Sequence, residues 1–397
     1  MPLFLSGIIH FSLMMNTKMV SFYVFLLAIL FSFPGYGDPM DSVSTFPFHL
    51  ENKLLVFTGK MNGIETQFAF DTGAGMGLAN SLSKPTGRLK IKGKKIKMRD
   101  SNRQVKKVPT GLTDEIQIGN YRIEKVRSLV NDMTLLYCLD YYLLGSNVIN
   151  QLNWEIDFDA MQIRVSARPF PVEEEDLTFK VTYAGNRPFA EMELLGKKYE
   201  RILVDFGYIK VMDFDDQEEA VQNFLAQKDS LGLSNPQITT SMGALGSDTY
   251  SSRTIRVDSL KLGEKYLSGI PIDFEKTSGS KIGLGFFRAL TTKTIINSTD
   301  STYALRLRAE PEFEKSTHLG VFYSDGKLIV RGKPLGLTPN DGQLEIGEEI
   351  LSIDGKKASD FPSECSFIEW SFSRTPKELE IVKLDGTRLI FPQIELR

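Results

Sequence analysis

From about residue 46 onward, apolar and polar positions alternate with a period of two, the signature of half-buried strands. "LLVFTGKMNGIETQFAFD" (54–71) is two such runs joined at Asn62-Gly63, a dipeptide suited to a tight hairpin turn. "MELLGKKYERILVDFGYI" (192–209) repeats the arrangement around Leu195-Gly196. Each second run ends in an aspartate, Asp71 or Asp205. Next come "TDEIQIGNYRIEKVRSLV" and "RVDSLKLGEKYLSGIPIDF", which align at Gly119 and Gly263 and again predict hairpins. Then Leu144-Gly145 matches Ile282-Gly283, and Val148-Ile149 matches Phe286-Phe287, with a strand after each. Helical periodicity is scarce, with short candidates near Gln217–Leu231 and after Asn147.

Four features in one order, twice over, predict two homologous β-rich lobes at 46–168 and 177–308. "RPFPVEEEDL" lies between them and carries the proline and acidic residues of a linker. A second linker, "AEPEFEKSTH", precedes a third region at 312–397. A chain of 397 residues has room for these domains.

The N-terminus departs from this pattern. An apolar run from about Val20 to Phe33 follows Lys18 and precedes Gly35-Tyr36-Gly37, a small-x-small cleavage signal. Residues 1–37 therefore read as a secretory signal, with a start at Met1 or Met15 and export to the periplasm or medium expected. The run is shorter than the roughly 20 residues that span a bilayer. No other stretch predicts a membrane span.

Composition narrows the chemistry. Net charge is −3, which gives no global drive toward nucleic acid. Cys138 and Cys365 are far apart in sequence and define neither a disulfide framework nor a metal site by spacing. Histidines number three, His10, His49 and His318, with His10 in the apolar N-terminus. A Ser-His-Asp triad or histidine-rich zinc site is not expected, and the chemistry must rest on carboxylates.

The residues around the two aspartates resemble a family. Asp71-Thr72-Gly73-Ala74 at a strand end, a later hairpin, and Leu143-Leu144-Gly145 before a short helix resemble retropepsin-like and pepsin-like aspartic proteases. The second copy supplies Asp205-Phe206-Gly207 and Gly283. The resemblance spans both lobes and is closest to secreted bacterial two-lobe forms. It implies a mainly β fold of two acid-protease-type barrels, a catalytic pair of Asp71 and Asp205, and peptide or protein substrates. It implies no metal or cofactor. Two close carboxylates share one proton, so one can serve as base and the other as acid. Thr72, Gly73, Ala74, Phe206, Gly207, Gly145 and Gly283 would support the two loops. In the family the loop hydroxyls brace each other across the pair, but Phe206 stands where the second hydroxyl belongs. Half of that brace is expected to be missing. The competing reading is a protease-fold protein that binds extended peptides without cleaving them.

Hairpins near Met98–Val108 and Ser241–Ser251 would act as flaps, with Tyr250 a candidate flap tyrosine. Between Lys84 and Lys107 eleven Lys or Arg residues face one acid, Asp100. Leu89, Ile91, Ile96 and Met98 are spaced among them as inward strand residues, so a solvated hairpin face is expected and no nucleic-acid partner. Residues 312–397 resemble a PDZ domain, best at "GQLEIGEEILSIDGKKASDF". Leu319-Gly320-Val321-Phe322 would be its ligand loop, receiving a peptide C-terminus.

Overall fold

The computed structural model describes residues 42–394 apart from 278, 316 and 375, so the expected signal at 1–37 lies outside the described residues. The described chain is mostly β. Strands Leu54–Met61 and Ile64–Asp71 pair antiparallel around Asn62-Gly63. Both turn residues have positive φ, 51° and 78°, as a tight hairpin of the primed type needs. Leu195-Gly196, at 54° and 74°, makes the same turn between Arg187–Leu194 and Lys197–Asp205. Gly119 and Gly263 occupy the expected later turns. Helices Ser146–Ile149 and Glu219–Ser230 fall at the two helical candidates.

One sheet joins the halves. Its strands run Ser44–Pro47, Gln162–Ser166, Asn153–Asp157, Thr291–Asn297, Thr302–Leu307 and Leu177–Ala184, all antiparallel. The seam is Trp154↔Ile296. Trp154 is fully buried there, and its indole N–H donates to Ile149 O at 2.9 Å. Phe70, Phe206, Phe286 and Phe287 join the same core, so the aromatic interior runs beneath both aspartate loops.

The basic hairpin departs from expectation at one residue. Leu89 and Met98 are buried, but Ile91 is 39 % exposed. Residues 90–95 are exposed throughout, because this arm is open on both faces and a bulge shifts its register between Lys92 and Lys95.

The C-terminal region is a sheet of Gly320–Ser324, Lys327–Pro334, Glu349–Ile353, Glu378–Lys383 and Arg388–Pro392. Helix Glu364–Phe372 packs on it. Ser363 starts that helix with a reciprocal cap: its Oγ accepts the Ser366 N–H at 3.2 Å, and Ser366 Oγ accepts the Ser363 N–H at 3.1 Å. The region has its own core, including Leu328, Ile350, Phe367, Ile381 and Phe391. Strand pairing and a disulfide are among its ties to the rest. Gln237↔Pro334 and Ile238↔Lys333 extend one sheet into the other. Cys138 and Cys365, which spacing left unassigned, form a disulfide across 227 residues. The fold brings together two helices, Thr134–Cys138 and Glu364–Phe372, that the sequence keeps apart.

Candidate active site

Asp71 ends a strand that runs parallel to Tyr141–Gly145, with Asp71 opposite Gly145. Asp205 ends a strand parallel to Lys281–Gly283, with Asp205 opposite Gly283. The two arrangements match position by position. Each loop folds back on its own carboxylate: Asp71 Oδ1 accepts the Ala74 N–H at 2.9 Å, and Asp205 Oδ1 accepts the Gly207 N–H at 2.9 Å. Each glycine then presses against the opposite carboxylate. A Cβ on Gly73 would lie 2.3 Å from Asp205 Cγ, and one on Gly207 would lie 2.4 Å from Asp71 Cγ. Any side chain there would drive the loops apart, which is why both positions are glycine. The carboxyls themselves share a hydrogen bond. Gly145 and Gly283 allow the same close approach from beneath, to the Met76–Gly77 backbone and to Lys210 O.

The brace between the loops is one-sided, and Thr72 supplies it. Thr72 Oγ1 donates to Val204 O at 2.7 Å and accepts the Phe206 N–H at 3.0 Å. Ser146 Oγ holds Thr72 O from below at 2.7 Å. Phe206 offers no hydroxyl, so the second half of the family's brace is absent as expected. The Phe206 ring is fully buried, stacks on Phe287 at 4.4 Å and meets Phe70 edge-on at 5.5 Å. Packing holds the second loop where hydrogen bonding would otherwise do so.

Electrostatics separates the two carboxyls. Burial, and then the Asp205 charge, push Asp71 well above the usual carboxylate range. Burial pushes Asp205 up as well, but the Lys281 ammonium pulls against it. The Lys281 charge thus favours the ionised form of Asp205.

The walls beside the two aspartates differ. Side chains alternate across a strand, so Ala69 shares a face with Asp71, opposite the core residues Phe68 and Phe70. On that face Leu143 pairs with Ala69 and Leu78, and Leu78 pairs with Leu129. In the second half the matching positions are Lys281, Asp213 and Asp273, in the same register. Lys281 Nζ lies 3.0 Å from Asp213 Oδ2, and Lys210 Nζ lies 2.6 Å from Asp273 Oδ2. Lys281 also sits 4.4 Å over the Tyr208 ring. Glu275 joins this group and is pushed up to about 8 by burial and the Asp213 charge. None of these ionic residues was singled out from sequence. Aligning the repeat two residues before Gly145 and Gly283, Leu143 against Lys281, was the signal that could have found them.

The two predicted flaps meet. Asn102 Nδ2 donates to Ser241 O and Gly246 O, each at 3.1 Å, and Asp100 Oδ2 accepts the Leu245 N–H at 3.0 Å. Asn131 Nδ2 adds a bond to Ala244 O at 2.7 Å. Asp100, the lone acid of the basic run, thus clasps the second hairpin. Tyr250 bonds Glu275 within the ionic group.

Leu319, Gly320, Val321 and Phe322 are placed apart from both aspartates. Gly320–Ser324 pairs along one side with Lys327–Pro334. Leu319 and Val321 pack against the C-terminal core, and Leu319, Gly320 and Phe322 line a cavity of about 870 Å3 shared with Lys210, Arg288 and Arg308. Among the described residues no group of three His, Cys, Asp or Glu side chains is gathered to hold a metal ion. Among them, too, no helix is long and apolar enough to cross a membrane.

Residues 57–148 match the family model described as aspartyl protease. The matched segment contains Asp71, the first flap and Gly145, and it supports the aspartic protease family and a protease acting on peptides. No curated protein matches the chain.

Proposed function

We propose that this protein is an exported aspartic endopeptidase in which Asp71 and Asp205 form the catalytic pair. The observation that carries the reading is the reciprocal packing of Gly73 on Asp205 and Gly207 on Asp71, which holds two carboxyls in hydrogen-bond contact. Two carboxyls so placed retain one proton between them. Lys281 assigns the roles. Asp205, the ionised member, takes a proton from a water molecule, whose oxygen attacks the peptide carbonyl carbon. Asp71 gives its proton to the carbonyl oxygen. The resulting diol collapses as its C–N bond breaks: Asp205 gives its proton to the nitrogen, which leaves as the amine, Asp71 takes a proton from one hydroxyl, and the carbonyl re-forms as a carboxylic acid. One water is consumed per bond cut, and the pair returns to its singly protonated state.

The disulfide favours export, because such bonds persist in oxidising compartments, as the N-terminal sequence also suggests. The region 312–397 acts as a PDZ-like module, with Leu319–Phe322 receiving a partner's C-terminus. A second reading is favoured by Phe206 and by the covering of the cleft described below: a protein that binds extended peptides and does not cut them.

The deciding experiment is a peptide-library digest by the mature protein from pH 3 to 8, with Asp71→Asn as control. Cleavage that Asp71→Asn abolishes supports the peptidase. Binding without cleavage at every pH supports the second reading.

A further inference from the structure

The apolar face beside Asp71 shares its hydrophobic cluster with a helix of the C-terminal region. Ile368, on helix Glu364–Phe372, is 7 % exposed and is buried in one cluster with Ala69 and Leu78. Phe372 packs against the same cluster. Cys365, Ile368 and Phe372 are spaced i, i+3 and i+7, which places them on one stripe of the helix. The other stripe, with Phe367 and Trp370, packs into the C-terminal region's own core. The helix is thus apolar on two sides, one for its own sheet and one for the wall that carries Asp71. The disulfide to Cys138 is on the second side.

We infer that helix Glu364–Phe372 is a tethered cover of the cleft. Ile368 and Phe372 occupy the wall where large apolar side chains of a substrate would lie, and the Cys138–Cys365 bond keeps them beside it. The inference rests on the reading of Asp71 and Asp205 as the peptidase pair. Its physical basis is competition. A tethered segment competes at an effective concentration near the millimolar range for a short link, without diffusing away. An incoming peptide displaces it only by making the same contacts, so peptides carrying Leu, Ile or Phe win and charged peptides do not. Backbone pairing at Gln237↔Pro334 ties the same region to the second flap, so lifting the helix also pulls on that hairpin.

The test uses the full mature chain in three forms: wild type, the double variant Cys138→Ser/Cys365→Ser, and Ile368→Ser with the disulfide intact. Three quantities are measured: kcat/KM on a library-selected peptide, the Kd of an apolar hexapeptide carrying a statine residue, and amide hydrogen exchange across 364–372. Opening the cover should raise kcat/KM and tighten the hexapeptide tenfold or more, and hexapeptide binding should speed exchange in the helix. Equal cleavage and equal binding in all three forms would overturn the cover and leave the peptidase reading standing. Tenfold tighter binding in the opened forms, with no cleavage by any form, would uphold the cover and sink the peptidase reading. Should the double variant lose its near-UV circular dichroism, Ile368→Ser carries the same comparison, and no change in hexapeptide affinity there counts against the cover.

Discussion

Thr72 and Phe206 stand at matching places in two matching loops and hold those loops by different means. Thr72 spends its hydroxyl on both partners across the interface, donating to Val204 O and accepting from Phe206 N–H. The Phe206 side chain makes no hydrogen bond and is fixed by ring packing against Phe70 and Phe287. The difference continues outward. Leu143, Leu78 and Leu129 on one wall correspond to Lys281, Asp213 and Asp273 on the other. The repeat preserves what sets the pair's geometry, the aspartates and the glycines. It has let everything beside the pair diverge, so that one half offers an apolar wall and the other a charged one.

The largest effect should come from breaking what the halves share. Asp71→Asn and Asp205→Asn should each lower kcat/KM by at least about 100-fold, since neither carboxyl performs both proton transfers. Both variants should keep their fold by circular dichroism. If Asp205→Asn cleaves as well as wild type, the pair within one chain is wrong.

Next come the two braces. Thr72→Val leaves the buried Phe206 N–H and Val204 carbonyl unpaired, at about 1–3 kcal/mol each. The loosened pair should lose activity on the order of 100-fold. Phe206→Thr removes a buried ring, which should cost about 3–5 kcal/mol of stability. It should not raise activity, because Thr72 already serves both cross-loop partners. Melting temperature and kcat/KM measured on both variants separate the two kinds of brace. A gain in kcat/KM for Phe206→Thr would mean that one hydroxyl is too few.

What the sequence made legible follows the same division. Turn chemistry at Asn62-Gly63 and Leu195-Gly196 is local, so the hairpins and both aspartates could be placed from the chain alone. The glycines could be flagged but not explained, because their constraint is the opposite carboxylate, 132 positions from Gly73 and 136 from Gly207. The disulfide was illegible for the same reason: two cysteines carry no spacing pattern until the fold brings their helices together. The ionic wall was hidden differently. Asp213, Lys281 and Glu275 look like ordinary surface charges until strand register turns them all onto one buried face.

A third prediction concerns Lys281 and the pH profile. Its charge favours ionised Asp205, so it lowers the first ionisation of the pair and sets the acidic limb of activity. Replacing Lys281 alone would strand buried Asp213, so Lys281→Gln is combined with Asp213→Asn. The acidic limb of kcat/KM should then move to higher pH, with a smaller loss at the optimum than either aspartate variant shows. An unmoved limb would mean that Lys281 serves only the packing of the second wall.

The smallest effect is on stability, and it tests whether the second wall is as charged as its residue types suggest. Glu275 is 4 % exposed and faces Asp213, Asp273, Lys210, Lys281 and Tyr250. Burial, then the Asp213 charge, raise it from 4.5 to about 8 in the fold. Below about pH 4.5 the folded and unfolded chains both hold this proton, and its contribution to stability is fully present. As pH rises toward 8, the unfolded chain gives up the proton while the fold retains it, so stability falls across that window. Glu275→Gln has no proton to lose there. Its melting temperature should be close to that of wild type at pH 4 and should exceed it by a growing margin up to pH 8, read by scanning calorimetry at unit steps. A difference that stays flat from pH 4 to 8 would mean that Glu275 is ionised in the fold, and that the second wall carries one more negative charge than the contrast with the leucine wall assumes.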